Sequence, residues 1–211
     1  MALPQPQYDE PHYYTEAEYL AYDREAEFKH EYHQGEIIVV SGATWNHNLI
    51  KDNVSRIMGN QLARRCNAVT SDMRVRTKKA KSYRYPDVVV VCGDPIIEDD
   101  NPGSLLNPTV LVEVLSESTQ TTDHVYKLEE YLQIESLQAY LIVAQDEAHI
   151  KIYQRTADEG VWQYNSVEAI NGEVRITSIE ATLPLMEIYR NVSFELAAPP
   201  ESADSTDDNN R

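Results

Sequence analysis

Two short apolar runs constrain this chain more than anything else in its 211 residues: Val88 to Val91, and Val110 to Leu115. The first is four valines in a row, apolar on both sides of any strand it forms. Such a run suits a strand inside a sheet covered on both faces, because apolar–polar alternation survives only where one face meets water. The second reads VLVEVL, so Glu113 sits where a buried strand has no use for a charge, and Asp87 opens the first run behind Pro86. A carboxylate taken out of water without a partner is costly. Such groups are therefore paired, hydrogen-bonded or bound to metal.

The rest of the pattern surrounds these strands with helices and hairpins. Thr15 to Phe28 starts with a capping box, Thr15 followed three residues later by Glu18, and predicts a helix. Glu31 to Val40 predicts a hairpin turning at Gln34-Gly35. His47 to Arg65 carries Leu49, Ile50, Val54, Ile57, Met58 and Leu62 at helical spacing. Strands are expected over 68–77 and 82–92, then a loop over 93–108, a strand over 109–115 and a helix over 121–134. Further strands are expected over 138–144, 149–154 and 161–164, with 174–176 and 183–189 finishing the sheet. Helices are few and flank a central sheet of mixed character, so the class is α/β or α+β, in one domain over 13–196. Residues 1–12 are expected to be flexible, and 197–211, acidic and without large apolar groups, a disordered tail.

Charge enters because it bears on partners. With 18 basic and 35 acidic side chains the net charge is −17, which disfavours a phosphate partner. Between Lys51 and Arg84, however, ten basic residues face only Asp52 and Asp72. A solvated helix face with a lysine-protected hairpin would account for this. A phosphate-tracking surface would too, built on Arg74, Arg76, Lys78, Lys79, Lys81 and Arg84. Cys66 and Cys92 are too few for a disulfide framework or a four-cysteine zinc site, and are expected to be small buried hydrophobes in a reducing cytoplasm. The longest uninterrupted apolar stretch, Ala139 to Ala144, is far short of a membrane span, and the N-terminal residues show no export signal. Glycine-rich nucleotide loops and the G-x-S-x-G nucleophile motif are also missing from the sequence.

A third element follows Glu113. Asp123, Lys127 and Tyr131 are spaced i, i+4, i+8 and fall on one helical face. They could form a surface pair over a packed tyrosine. They could equally deliver a lysine beside the two carboxylates, where a divalent cation could sit between Asp87, Glu113, water and a phosphate oxygen.

Strand, PD, strand, E and a nearby lysine together resemble the PD-(D/E)XK phosphodiesterase fold. More closely, the chain resembles the putative restriction endonuclease domain family. The matching pieces are TEAEYL, the GEI hairpin (Gly35 to Ile37), a helix opened by His47, RYPDVVVV, VEVLSEST, D-x-x-x-K-x-x-x-Y and AYLIV. The resemblance implies a restriction-endonuclease-like fold with an N-terminal helix and hairpin and a C-terminal strand extension. It implies Asp87 and Glu113 as ligands of Mg²⁺, with Mn²⁺ also accepted, Lys127 as the catalytic lysine and DNA as the substrate. In the superfamily's E-x-K pattern the lysine lies two residues after the glutamate. Leu115 stands there in this chain, so Lys127 takes that role from the next helix. Glu36 is the expected third acid, Ser116 and Asp123 are expected to support Glu113 and Lys127, and His47 is a candidate for meeting phosphate. A homodimer is compatible with cutting both strands. The rival reading is a nucleic-acid-binding or regulatory protein on the same scaffold. Clustering of Asp87, Glu113 and Lys127 in space separates the nuclease reading from one in which these acids are structural.

Overall fold

The computed structural model describes residues 12–40, 42–62, 65–70, 72–98, 103–115 and 122–194. The two expected tails therefore lie outside the described residues, apart from His12.

Helix α1 (Glu16–Glu25) begins with the expected capping box: Thr15 and Glu18 satisfy each other's backbone N–H groups. It lies on a four-stranded antiparallel sheet made of β1 (His30–His33), β2 (Glu36–Val39), β4 (Val75–Thr77) and β5 (Ser82–Arg84), in the order β2-β1-β5-β4. Tyr19, Tyr32 and Tyr83 form the small aromatic core between helix and sheet, and the Tyr19 hydroxyl donates to the His30 carbonyl at 2.7 Å.

The larger sheet has six strands in the order β10-β9-β8-β7-β6-β3. These are β3 (Cys66–Thr70), β6 (Val88–Cys92), β7 (Val110–Leu115), β8 (Ala139–Ala144), β9 (Ile150–Arg155) and β10 (Trp162–Val167). The valine run forms β6, an internal strand buried on both faces, as its composition requires. Only β7 and β8 are parallel, joined by helix α3 (Thr122–Leu132) as the crossover. Side chains alternate cleanly on these strands. Val88, Val90, Val112 and Val114 meet helix α2 (Trp45–Leu62) and the C-terminal elements; Val89, Leu111, Tyr140 and Ile142 meet Tyr131 of α3.

The chain departs from the expected elements in three places. The two long strands expected over 68–77 and 82–92 are each divided between the two sheets. At the second break Pro86 has no amide hydrogen, and the Tyr85 amide donates to the Glu31 carboxylate at 3.1 Å instead of to a ladder. The C-terminal segments do not finish the central sheet. They form a separate hairpin, β11 (Glu173–Ile176) with β12 (Ala181–Pro184), followed by a helical turn α4 (Leu185–Ile188), and together these close the core against α2. Finally, Cys66 and Cys92 are not separate buried hydrophobes. They face each other across the β3–β6 pair and are joined as a disulfide. Among the described residues no helix is long and apolar enough to cross a membrane.

Candidate functional site

The antiparallel register of β6 and β7 pairs Val88 with Val112. Glu113 follows on β7, on the sheet face that α3 covers, and Asp87 lies at the bend just before Val88, where its carboxylate meets the Val114 N–H of the neighbouring strand. Asp87 is fixed from two sides: its Oδ2 accepts the Val114 N–H at 2.8 Å, and its Oδ1 lies 2.7 Å from His47 Nε2. His47 reaches it from the first turn of α2. Thr44 caps that turn, its hydroxyl accepting the His47 N–H at 3.2 Å and donating to Gln145 Oε1 at 2.7 Å.

Glu113 is 4% exposed and takes its partners from α3. The Tyr131 hydroxyl donates to Glu113 Oε1 at 2.9 Å, and Lys127 Nζ stands 3.5 Å from the same oxygen. The i, i+4 spacing of the two helix residues puts both over the strand. Lys127 therefore reaches Glu113 from the following helix.

Glu31 on β1 ties these groups to the smaller sheet. Its Oε1 accepts from Lys127 Nζ and from the Tyr85 amide, both at 3.1 Å, and its Oε2 accepts from Arg84 Nη1 at 2.9 Å. Arg84, fully buried, also donates twice to Glu130 of α3, which accepts a further bond from Ser82. The result is a continuous buried chain of charge from the hairpin through Arg84 to α3, and it fixes where Lys127 stands.

Asp87, Glu113, Glu31, His47 and Lys127 line one cleft of about 460 Å³. Lys29 and Lys51 stand on its walls, and Ile38, Val39 and Val40 form an apolar lip. Burial pushes the Glu113 carboxyl up to about 8; Lys127 opposes this, while Asp87 and Glu31 add to it. Burial also works against charge on Glu31, but Lys127 and Arg84 outweigh it and hold that carboxyl below the usual range. Near neutral pH the native Glu113 carboxyl therefore keeps its proton, and a divalent cation held between it and Asp87 would have to displace that proton.

The donor set fits a hard divalent ion. Two carboxylates on adjacent strands leave room for water and substrate oxygen, the way magnesium is usually held. Among the described residues no group of three ligating side chains forms a ready-made cage.

Several expected residues stand elsewhere. Glu36 is exposed at the turn end of β2, two residues beyond Ile38, and does not line the cleft; the acid contributed by the hairpin is Glu31. Arg74 and Arg84 are buried and cannot track a phosphate backbone: Arg74 pairs with Asp23 and Ser104, Arg84 with Glu31 and Glu130. Arg76 is held between Glu16 and Glu98. Lys78, Lys79 and Lys81 lie on the exposed β4–β5 turn, and Lys79 approaches Glu135 at 3.3 Å. Pairing of His33 with Ser82 puts this turn at the opposite end of the hairpin from Lys29 and Val40 at the cleft. Ser116 and the Asp123 side chain lie outside the described residues.

Residues 16–193 match the profile of the family described as Uma2: Putative restriction endonuclease. The uncharacterized protein sll1609 of Synechocystis sp. is 35% identical over 164 residues, 77% of this chain and 92% of that protein. A second uncharacterized protein of that organism, slr1290, is 31% identical over 178 residues, 84% and 92% of the two chains. The crystal structure of a putative nuclease belonging to DUF820, from Anabaena variabilis, superposes with a TM-score of 0.67 at 18% identity. It covers 83% of this chain and 97% of that one, a likeness of fold. The matched span contains the hairpin, both strand acids and the helix that carries Lys127, and the chain belongs to the Uma2 putative restriction endonuclease family.

Proposed function

We propose that this protein is a divalent-metal-dependent nuclease that hydrolyses DNA phosphodiester bonds in the cleft. The observation that carries the reading is the convergence of Asp87, Glu113 and Lys127, with Lys127 Nζ 3.5 Å from Glu113, in one cleft. A divalent cation, magnesium first and manganese as an alternative, supplies Lewis-acid polarisation of the scissile phosphate when bound by Asp87 and Glu113. His47 and the Val114 amide keep Asp87 oriented, and Tyr131 keeps Glu113 in place. Lys127 presents an ammonium where negative charge grows on the phosphate, and Glu31 holds it there. Lys51 is the cation placed for a flanking phosphate; Lys29, on the same cleft wall, is paired with Asp72.

The test is nicking of supercoiled plasmid with Mg²⁺ or Mn²⁺, for the wild type, Glu113→Gln and Lys127→Ala. Metal-dependent cleavage lost in both variants, each still folded by circular dichroism, supports the reading. Cleavage retained by Glu113→Gln removes that residue from the chemistry. DNA binding without cleavage in the wild type supports the non-catalytic rival.

A further inference from the structure

The cleft's apolar lip is also the outer edge of a sheet. β2 is the terminal strand of the order β2-β1-β5-β4, and among the described residues no strand pairs with its outer side. The other edge of that sheet, β4, is largely buried and bridged to Leu105, and the edge strand β10 carries Gln163, Asn165 and Ser166. β2 differs from both, with Ile38 39% and Val39 58% exposed. An apolar edge without a charge in its middle is a template for another strand.

The hydrogen-bond phase shows what that strand must offer. The Val40 N–H donates to the Lys29 carbonyl, so by alternation Ile38 and Glu36 also bond toward β1. The N–H and C=O groups of Ile37 and Val39 then point outward. We propose that a second copy of this chain fills the edge, β2 against β2 antiparallel about a two-fold axis at Ile38. In this register Ile37 of each copy bonds with Val39 of the other, and the two Ile38 side chains meet as a non-hydrogen-bonded pair. Charge fits as well. Glu36 is the one charged residue of the strand, and it falls opposite Val40 of the second copy; Lys29, already paired with Asp72, stands one strand further in. The two copies of Glu36 are kept at opposite ends.

The geometry has a consequence for the site. A two-fold axis relating antiparallel neighbours runs perpendicular to their sheet. Ile38 shares its face with Glu31, its partner across β1–β2, so both clefts open on the same side of the joined eight-stranded sheet. Two adjacent centres related by a two-fold axis match the symmetry of a duplex, whose strands are antiparallel.

The experiment is sedimentation of the wild type and Val39→Lys, with circular dichroism and melting as controls for folding, and cysteine cross-linking of Ile38→Cys against Ile37→Cys. Cys66 and Cys92 are already joined, so the added thiol reports on the interface. The wild type is expected to sediment as a dimer and Val39→Lys as a folded monomer. Ile38→Cys should cross-link almost completely under mild oxidation, and Ile37→Cys should not. A monomeric wild type overturns the proposal, whether the edge is open or covered by the chain's own N-terminal residues. A dimer that survives Val39→Lys places the interface elsewhere, and cross-linking by Ile37→Cys instead overturns the register. None of these readouts needs a substrate or metal, so their failure is distinct from failure of the nuclease reading.

Discussion

Replacing Glu113 by glutamine should flatten the pH dependence of stability, and the sign follows from burial. The native carboxyl is pushed up to about 8, against 4.5 for an unperturbed glutamate. Between those values the native state holds a proton that the unfolded chain releases. Unfolding then gives up a proton, so this residue's contribution to stability is full below about pH 4.5. It is lost progressively as pH rises toward about 8. The limiting slope for one proton is roughly 1 kcal/mol per pH unit, which amounts to a few kcal/mol across the window. Glutamine keeps the shape and can still accept from Tyr131, while Lys127 keeps Glu31 at 3.1 Å. Urea unfolding of both proteins in a chelator, from about pH 5 to pH 8, isolates the effect because all other groups titrate in both. The variant is expected to lose stability more slowly with rising pH and to be the more stable protein at the alkaline end. Parallel curves would show that Glu113 is ionised throughout and that the burial argument is wrong.

Arg84→Met leaves Glu31 and Glu130 buried together without their guanidinium, and should cost about 3–5 kcal/mol in chemical denaturation. A loss near zero would mean that water reaches the network. Neutralising Lys78, Lys79 and Lys81 together should leave the salt dependence of DNA binding unchanged, whereas Lys51→Ala should lower the slope by about one unit. The reverse pattern would return phosphate contact to the β4–β5 turn. Cys66→Ser with Cys92→Ser opens a loop of 26 residues and should lower stability by about 3–4 kcal/mol on the chain-entropy scale. No change in the urea midpoint would show that the cross-link contributes nothing.

The sequence reveals the acids of the site better than its cations. Glu113 stands out because apolar neighbours enclose it, and Lys127 because a helical repeat carries it toward Tyr131. Glu31 is hidden: it lies in HEYH, where histidines and a tyrosine mask the strand's alternation, and nothing local separates it from Glu36. Only the register does so, pairing Glu31 with Ile38 at the cleft and Glu36 with His33 beside the turn. The arginines mislead for a related reason. A basic residue counts toward a surface only if its partner is distant, and Asp23, Glu31 and Glu130 are distant in sequence but not in space. The division of the long strands between two sheets is equally a tertiary event, legible only at Pro86. The cross-strand disulfide needs the β3–β6 register, which spacing alone does not supply.

The bond between Glu31 and Lys127 joins points 96 residues apart in the chain. A contact of that separation is non-local, and the cost of closing its loop must be met before the contact contributes anything. During synthesis the hairpin and both strand acids leave the ribosome before α3 does. Before that helix is in place Glu31 has Arg84 as its cation, and Glu113 lacks both the Lys127 ammonium and the Tyr131 hydroxyl that meet it in the finished fold. A chain that stops short of α3 therefore lacks both side chains that partner Glu113.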